Sequence, residues 1–216
     1  MYIPATNAEH RPEVMFDFIE AHPLGILVTG SGDGLFATHL PLLLERERGP
    51  HGTLAGHIAR ANRQHAMPVA NEAEALVIFS GPDAYISPSW YPAKAEHGKV
   101  VPTWNYVAVH AYGRVRYTSD PVWLREHVGR LTTRHESGRE TPWAVEDAPA
   151  DYIDQMLRAI VGVEIEITRL EGKWKMSQNR SAEDIDGVVA GLGASDDVRE
   201  RGVSSLVQLR RPARAN

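Results

Sequence analysis

The chain has no cysteine among its 216 residues. Disulfides, thiol nucleophiles and cysteine-ligated zinc or iron–sulfur centres are therefore excluded. It has no apolar run long enough to span a bilayer, and its first residues lack the apolar stretch of a signal peptide. A soluble cytoplasmic protein without a membrane partner is expected. A strong charge of one sign is also missing: 28 acidic against 23 basic residues leave a net charge of -5. That balance opposes a chain-wide grip on nucleic acid and leaves only local patches. No glycine-rich phosphate loop is present, since "GLGAS" (191–195) has no strand before it, and the serines of "GPDAYISPSW" do not form a G-x-S-x-G elbow. The 10 histidines contain no i,i+4 pair, so no metal site is expected.

What is present suits one large domain with a proper core, since hydrophobic residues make up 43% of the chain. "RPEVMFDFIEAHP" (11–23) reads as a helix with a proline at each end. "LGILVTG" and "LFATHLPLLLE", joined by "SGDG" (31–34), read as a β-hairpin, and Pro41 within it suggests an edge or a bulge. "TLAGHI" (53–58) is a third strand. "EALVIFSG" (74–81) and "AYISPSWY" (84–91) look like two strands around a "GPD" turn, and "PAKAEHGK" (92–99) like a polar, mobile loop. A strand from about Val100 to Tyr117 leads into a helix through Arg134, capped by Ser119 or Asp120. "ADYIDQMLRAIVG" (150–162) is an amphipathic helix ending at a glycine. The strand after it alternates, with Val163, Ile165 and Ile167 on one face and Glu164, Glu166 and Thr168 on the other. Two more helices, at 182–193 and 196–206, precede a basic end. Strands interrupted by helices in these places indicate a mainly β, α+β barrel or sandwich and disfavour a doubly wound sheet.

Four stretches carry polar chemistry. "GHIARANRQ" gathers His57, Arg60, Asn62, Arg63 and Gln64 where a strand meets a short helix, which suits a phosphate or an ordinary solvated turn. "YISPSWYP" sets Ser87 and Ser89 beside Trp90 and Tyr91, as a planar ligand or a subunit contact would require. "KWKMSQNR" ends a strand with Lys173, Lys175, Ser177, Gln178, Asn179 and Arg180, donors for an anion or a ring carbonyl; for Lys173 a solvated strand end is the better reading. "VVPTWNYVAVHAYG" crowds Trp104, Asn105, Tyr106 and His110 into a strand, where core strands keep polar atoms out. Thr38 and His39 point to opposite faces of theirs.

Taken in order, "MYIP", "HLPLLL", "GHIARANRQ", "YISPSWY", "VPTWNY.AVHAYG" and "KMSQNR" resemble the FMN-binding negative transcriptional regulators of the PaiB type, across residues 1 to about 206. The resemblance implies the FMN-binding split β-barrel, built as a homodimer, with residues 1–180 as the flavin-binding barrel and 181–216 as a helical tail packed on or near it. It implies FMN as cofactor. Arg60, Asn62, Lys175, Ser177 and Gln178 are then phosphate and ribityl candidates. Thr38, His39 and His57 would lie near the ring, and Ser87, Ser89, Trp90, Thr103, Trp104 and Asn105 on the opposite wall. The function implied is transcriptional repression. The alternatives are an FMN-dependent oxidoreductase, pyridoxamine-phosphate-oxidase-like or haem-degrading, and a non-enzymatic dimer that has lost the flavin. DNA remains a partner that neither the charge nor a visible helix-turn-helix supports; Arg210, Arg211 and Arg214 are the basic contacts on offer.

Overall fold

The computed structural model describes residues 1–31, 34–67 and 74–212, so two residues of the expected "SGDG" turn and Arg214 lie outside the described residues. Among the described residues there are seven strands: β1 (Ala8–Glu9), β2 (Leu24–Ser31), β3 (Gly34–Glu45), β4 (Thr53–Ala59), β5 (Ala75–Ile86), β6 (Thr103–Thr118) and β7 (Ile160–Lys175). The helices are α1 (Pro12–Ala21), α2 (Ala93–His97), α3 (Pro121–Glu136), α4 (Ala150–Arg158), α5 (Ala182–Gly193) and α6 (Val198–Leu209). The strands hydrogen-bond in the order β1-β7-β4-β3-β2-β5-β6, and β6 also pairs with β7. The pairing of six strands therefore returns on itself, with β1 added to β7.

The chain forms two compact units. One holds Phe16–Phe79 and His110–Leu170. Within it β3 pairs with β2 up to Leu24↔Pro41, then with β4 from Leu42↔Gly56. Pro41 thus sits where the strand changes partner, a place that needs no continuous ladder on both sides. The apolar face of β7, with Val163, Ile165 and Ile167, is fully buried, as the alternation requires. Glu166 and Thr168 are exposed, but Glu164 is buried and bonded by Arg48 and Arg116. A second core joins Leu124 of α3 and Val145 to Ile153 and Leu157 of α4. Asp120 caps α3 by accepting from the Val122 amide at 3.0 Å.

The other unit holds Met1–Met15, Ser80–Val109 and the chain from Glu171 onward. There Ala8 pairs with Lys173, and Glu9 with Gly172. Buried Glu9 accepts from both Arg11 and Arg210, which tie β1 to the end of α6 and hold the carboxyl far below the usual carboxylate range. Helices α5 and α6 pack together, with the Ser204 hydroxyl donating to the Val189 carbonyl at 2.8 Å.

Three expectations are corrected. The "GPD" stretch is not a turn: β5 runs through it as one strand, with Pro82 half-buried and Asp83 exposed. Residues 92–99 are not a loop but carry α2, closed by the Gly98 amide on the Lys94 carbonyl at 3.1 Å. Helix α4 stops at Arg158, and Gly162 lies inside β7, where Trp123 occupies the space a side chain would need.

At Gly113 of β6 an added Cβ would lie 2.2 Å from the carbonyl oxygen of Glu166 on β7. Gly113→Ala must therefore push the two backbones apart. It should lower stability by about 1–3 kcal/mol in thermal or urea melts. Gly129→Ala in α3 meets nothing within 4 Å and should be neutral or stabilising, by about 0.5–1 kcal/mol.

Candidate functional site

His57 on β4 is half-buried, with Nδ1 3.2 Å from Nε2 of His127 on α3. One ring donates and the other accepts, so the accepting ring must be neutral at that nitrogen. His127 is 0% exposed and stacks on Trp123 with centroids 5.1 Å apart at 14°. Its Nδ1 has no hydrogen-bond partner. Burial, then the neighbouring His57 and Arg130, push its pKa down to about 4 against the opposite pull of Glu45 and Glu164; burial also lowers His57. The unfolded chain then binds the extra proton between pH ~6.5 and ~4. Stability is present above the upper value and is lost as pH falls through this window, by up to roughly 3 kcal/mol at 1.36 kcal/mol per unit. His127→Phe should flatten the dependence of urea midpoint on pH over that window. A slope unchanged from wild type would remove the pair as its cause.

The residues after β4 are held by their own neighbours. Asn62 accepts from the Gln64 amide at 3.0 Å, capping a 3₁₀ turn (Arg63–Ala66), and donates from Nδ2 to the Thr38 hydroxyl at 2.8 Å. Thr38 and Asn62 are thus brought together, while His39 is exposed. Gln64 is buried and donates to the Leu27 carbonyl and the Thr29 hydroxyl, leaving its Oε1 without a partner. It pins the turn to the sheet, a role that its place in a polar run did not reveal.

Arg60 has other work than the sequence suggested. Its amide donates to the Ala159 carbonyl at 2.7 Å. Its guanidinium donates to the carbonyls of Arg158 at 2.7 Å and Ile160 at 2.9 Å and to the Ser119 hydroxyl at 3.3 Å. The bonds to Arg158 and Ala159 satisfy orphan carbonyls at the end of α4, and the one to Ile160 ties that end to the start of β7. Because the group is exposed, Arg60→Ala should cost only about 1 kcal/mol in a melting experiment. Lysine, with no planar fork, should restore little of it.

In the other unit Asn105 is 0% exposed and donates from Nδ2 to the Ser177 hydroxyl at 3.0 Å. Ser177 adopts φ 61°, the left-handed region a non-glycine residue enters only when held there. Gln178 does the holding: its Oε1 accepts from the Met176 amide at 2.6 Å, and its Nε2 donates to the Trp174 carbonyl. Lys175 donates to the Thr103 hydroxyl and, at 2.7 Å, to the Trp104 carbonyl. Burial, then Lys173 and Arg180, lower its pKa. Trp104 is 52% exposed and meets Tyr85, 44% exposed, edge to face at 6.0 Å. Thr103, Trp104, Asn105, Lys175, Ser177 and Gln178 therefore form one cluster: an open aromatic surface beside an ammonium, a hydroxyl and an amide. This donor chemistry fits a flat, phosphorylated heteroaromatic ring.

Ser87, Ser89 and Trp90 lie on a separate 3₁₀ turn (Pro88–Trp90). The Ser87 hydroxyl accepts from the Ser89 amide, Ser89 accepts from Lys94 at 3.1 Å, and Trp90 packs on Gly187 and Gly191 of α5. Lys173, read from sequence as a solvated strand end, is buried at 7% exposure. Its Nζ donates to the Tyr2 carbonyl at 3.0 Å and lies over the rings of Tyr2 and Tyr106. Arg180 lies 4.7 Å over the Tyr91 ring.

Residues 1–169 match the protein family described as "Putative FMN-binding domain". The "Protease synthase and sporulation protein PAI 2" of Bacillus subtilis strain 168 is 31% identical over 208 residues, covering 96% of this chain and 97% of its own. An uncharacterized protein of Emericella nidulans is 35% identical over 94% of this chain and 98% of its own. Among solved structures, the FAD and heme binding protein from Mycobacterium smegmatis superposes with a TM-score of 0.57 at 16% identity, over 86% of this chain and 80% of its own. The flavocytochrome Anf3 from Azotobacter vinelandii does so with a TM-score of 0.53 at 16% identity, over 83% and 74%. The fold is that of the flavin split barrels, mainly antiparallel β with helical additions.

Proposed function

The chain belongs to the PaiB-type family of FMN-binding domains, and on that premise we propose that this flavoprotein is a negative regulator of transcription whose cofactor is FMN. The observation that carries the regulatory part is the end-to-end similarity to a protein named for protease synthesis and sporulation, 31% identical over 96% of this chain. Bound FMN supplies reversible redox chemistry at its ring. The cluster proposed to hold it lies within one unit: Thr103, Trp104, Asn105, Lys175, Ser177 and Gln178. There Trp104, with Tyr85 edge-on beside it, offers a flat surface, while Lys175 and the Ser177–Asn105 pair offer donors fixed by their own hydrogen bonds.

The protein is further proposed to act in the cytoplasm as a two-fold dimer. Exposed Tyr85, Val101 and Trp104 supply apolar area of the kind that anchors an interface. Light scattering at micromolar concentration should give twice the 23.9 kDa chain mass; a clean monomer refutes the dimer. Any direct grip on DNA must be local. Of the basic residues at the end of the chain, Arg210 is paired with Glu9 and Arg211 with Asp186.

The regulatory reading is tested on the purified protein with three additions. FMN should turn it yellow, NAD(P)H should leave the colour unchanged, and a specific duplex should be retained at physiological salt while random duplex is lost steeply as salt rises. Bleaching by NAD(P)H would point instead to the oxidoreductase. A protein colourless after added FMN would point to a dimer that has lost the flavin.

A further inference from the structure

What an imidazole can do depends on which ring nitrogen carries the proton, and the bond made by the other nitrogen decides that. His57 and His127 lie in one unit. On β4, His57 is the cross-strand partner of Gly162 on β7. The space a side chain would need at Gly162 is taken by Trp123 of α3, whose Cζ3 would lie 2.3 Å from an added Cβ. His127 stacks on the same indole at 14°, which sets the plane of its ring. In this cluster Nδ1 of His57 faces Nε2 of His127 at 3.2 Å.

Two arrangements give such a bond, and they are not equivalent. If His57 donates from Nδ1, a neutral His127 must carry its own proton on Nδ1, which is buried and has no partner. That seals an N–H from water without an acceptor. If His127 donates from Nε2, its Nδ1 keeps only a lone pair, and orphaned buried N–H groups are rarer than under-satisfied acceptors. His57 then accepts at Nδ1 and carries its proton on Nε2. Both rings are neutral at pH 7 and above, because burial lowers both pKa values; His57 and Arg130 add to this at His127. Glu45 and Glu164 pull the other way, but Arg48, Arg116 and Arg130 hold both carboxylates. Among the described residues nothing bonds Nε2 of His57, whose ring is only half-buried.

We propose that His127 is a positioning residue for a binding site at His57. By donating its Nε2–H to Nδ1 of His57, it fixes His57 in the tautomer that carries a proton on Nε2. A carboxylate or carbonyl behind an imidazole leaves a lone pair facing outward; a donor behind it does the reverse. His57 therefore offers a hydrogen-bond donor, and no base, to the group that meets it. The matching chemistry is an acceptor on a small molecule, a carbonyl or an oxyanion. An ammonium finds no lone pair there.

The tautomer is read directly by long-range proton–nitrogen NMR of the full chain labelled with ¹⁵N at histidine, near neutral pH and without a flavin. Among the 10 histidines, His57→Gln and His127→Phe identify the two signals by the one each removes. In wild type both rings should show the proton on Nε2, with Nδ1 unprotonated. His127→Phe keeps a flat ring beside Trp123 but has no donor, and His57 should relax to a mixture of both tautomers. His127→Gln supplies an amide donor and should restore the single tautomer. Thermal melts show which variants fold. Sodium acetate, as an oxyanion probe, should move the Nε2–H resonance of His57 relative to sodium chloride at matched ionic strength. Ammonium chloride should leave it in place.

A wild-type His57 with its proton on Nδ1 would overturn the assignment, and that spectrum decides even where a variant fails to fold. A folded His127→Phe in which His57 keeps one tautomer would remove His127 as its cause. If His127→Gln leaves the mixture seen in His127→Phe, His127 acts through packing and not as a donor, and the positioning role falls. Equal responses to acetate and ammonium, or none to acetate, would overturn the acceptor site at His57.

Discussion

The backbone of β6 comes against the backbone of β7 at Gly113, where a side chain would put a carbon 2.2 Å from the Glu166 carbonyl oxygen. That approach accompanies the β6–β7 pairing through which the order of six strands returns on itself. A closed order leaves fewer strand edges to be protected from other chains. Much else is tied to β7. It pairs with β4 from Thr53↔Glu166 to Ala59↔Ile160 and with β1 at Lys173 and Gly172, and its end carries the Lys173–Ser177 stretch. A strand so heavily paired is a stable base for donors that must be held in one geometry.

Buried charge shows how strictly the chain manages its carboxylates. Glu9 accepts from Arg11 and Arg210, and Glu164 from Arg48 and Arg116. Losing one partner of such a pair leaves a charge that water cannot reach, which costs far more than the intact pair contributes. The arginines holding Glu9 and Glu164 are therefore structural, however basic the surface looks when read as a list of residues. The same reasoning separates Arg60, whose donors hold a helix end, from Lys173, whose ammonium meets, among the described residues, a carbonyl and two rings.

Local pattern made most of the fold legible. The alternation of Val163, Ile165 and Ile167 gave β7, and the prolines bracketed α1. The β2–β3 hairpin and the Asp120 cap could be read from turn and capping residues. The misreadings came from residues whose meaning depends on a partner distant in sequence. Pro82 looks like a turn until it is found inside the continuous strand β5, and Gly162 looks like a helix stop until Trp123 is found over it. Lys173 looks solvated because nothing adjacent shows that Tyr2 and Tyr106 will cover it. In the polar–aromatic strand, Trp104 and Asn105 alternate out and in, but the identity of Ser177 as the partner of Asn105 lies 72 positions away.

The identity of a cation in the sequence therefore says little about its availability to a ligand. A guanidinium after a strand, next to amides, carries every local mark of a phosphate site, and Arg60 has all of them. Folding supplies it with carbonyls at the end of α4, and its hydrogens point there. Lys173 carries weaker local marks, yet folding covers its ammonium with the Tyr2 carbonyl and the rings of Tyr2 and Tyr106. Which cation is spent on the fold is thus decided by partners that arrive from elsewhere in the chain, carbonyls for Arg60 and rings for Lys173.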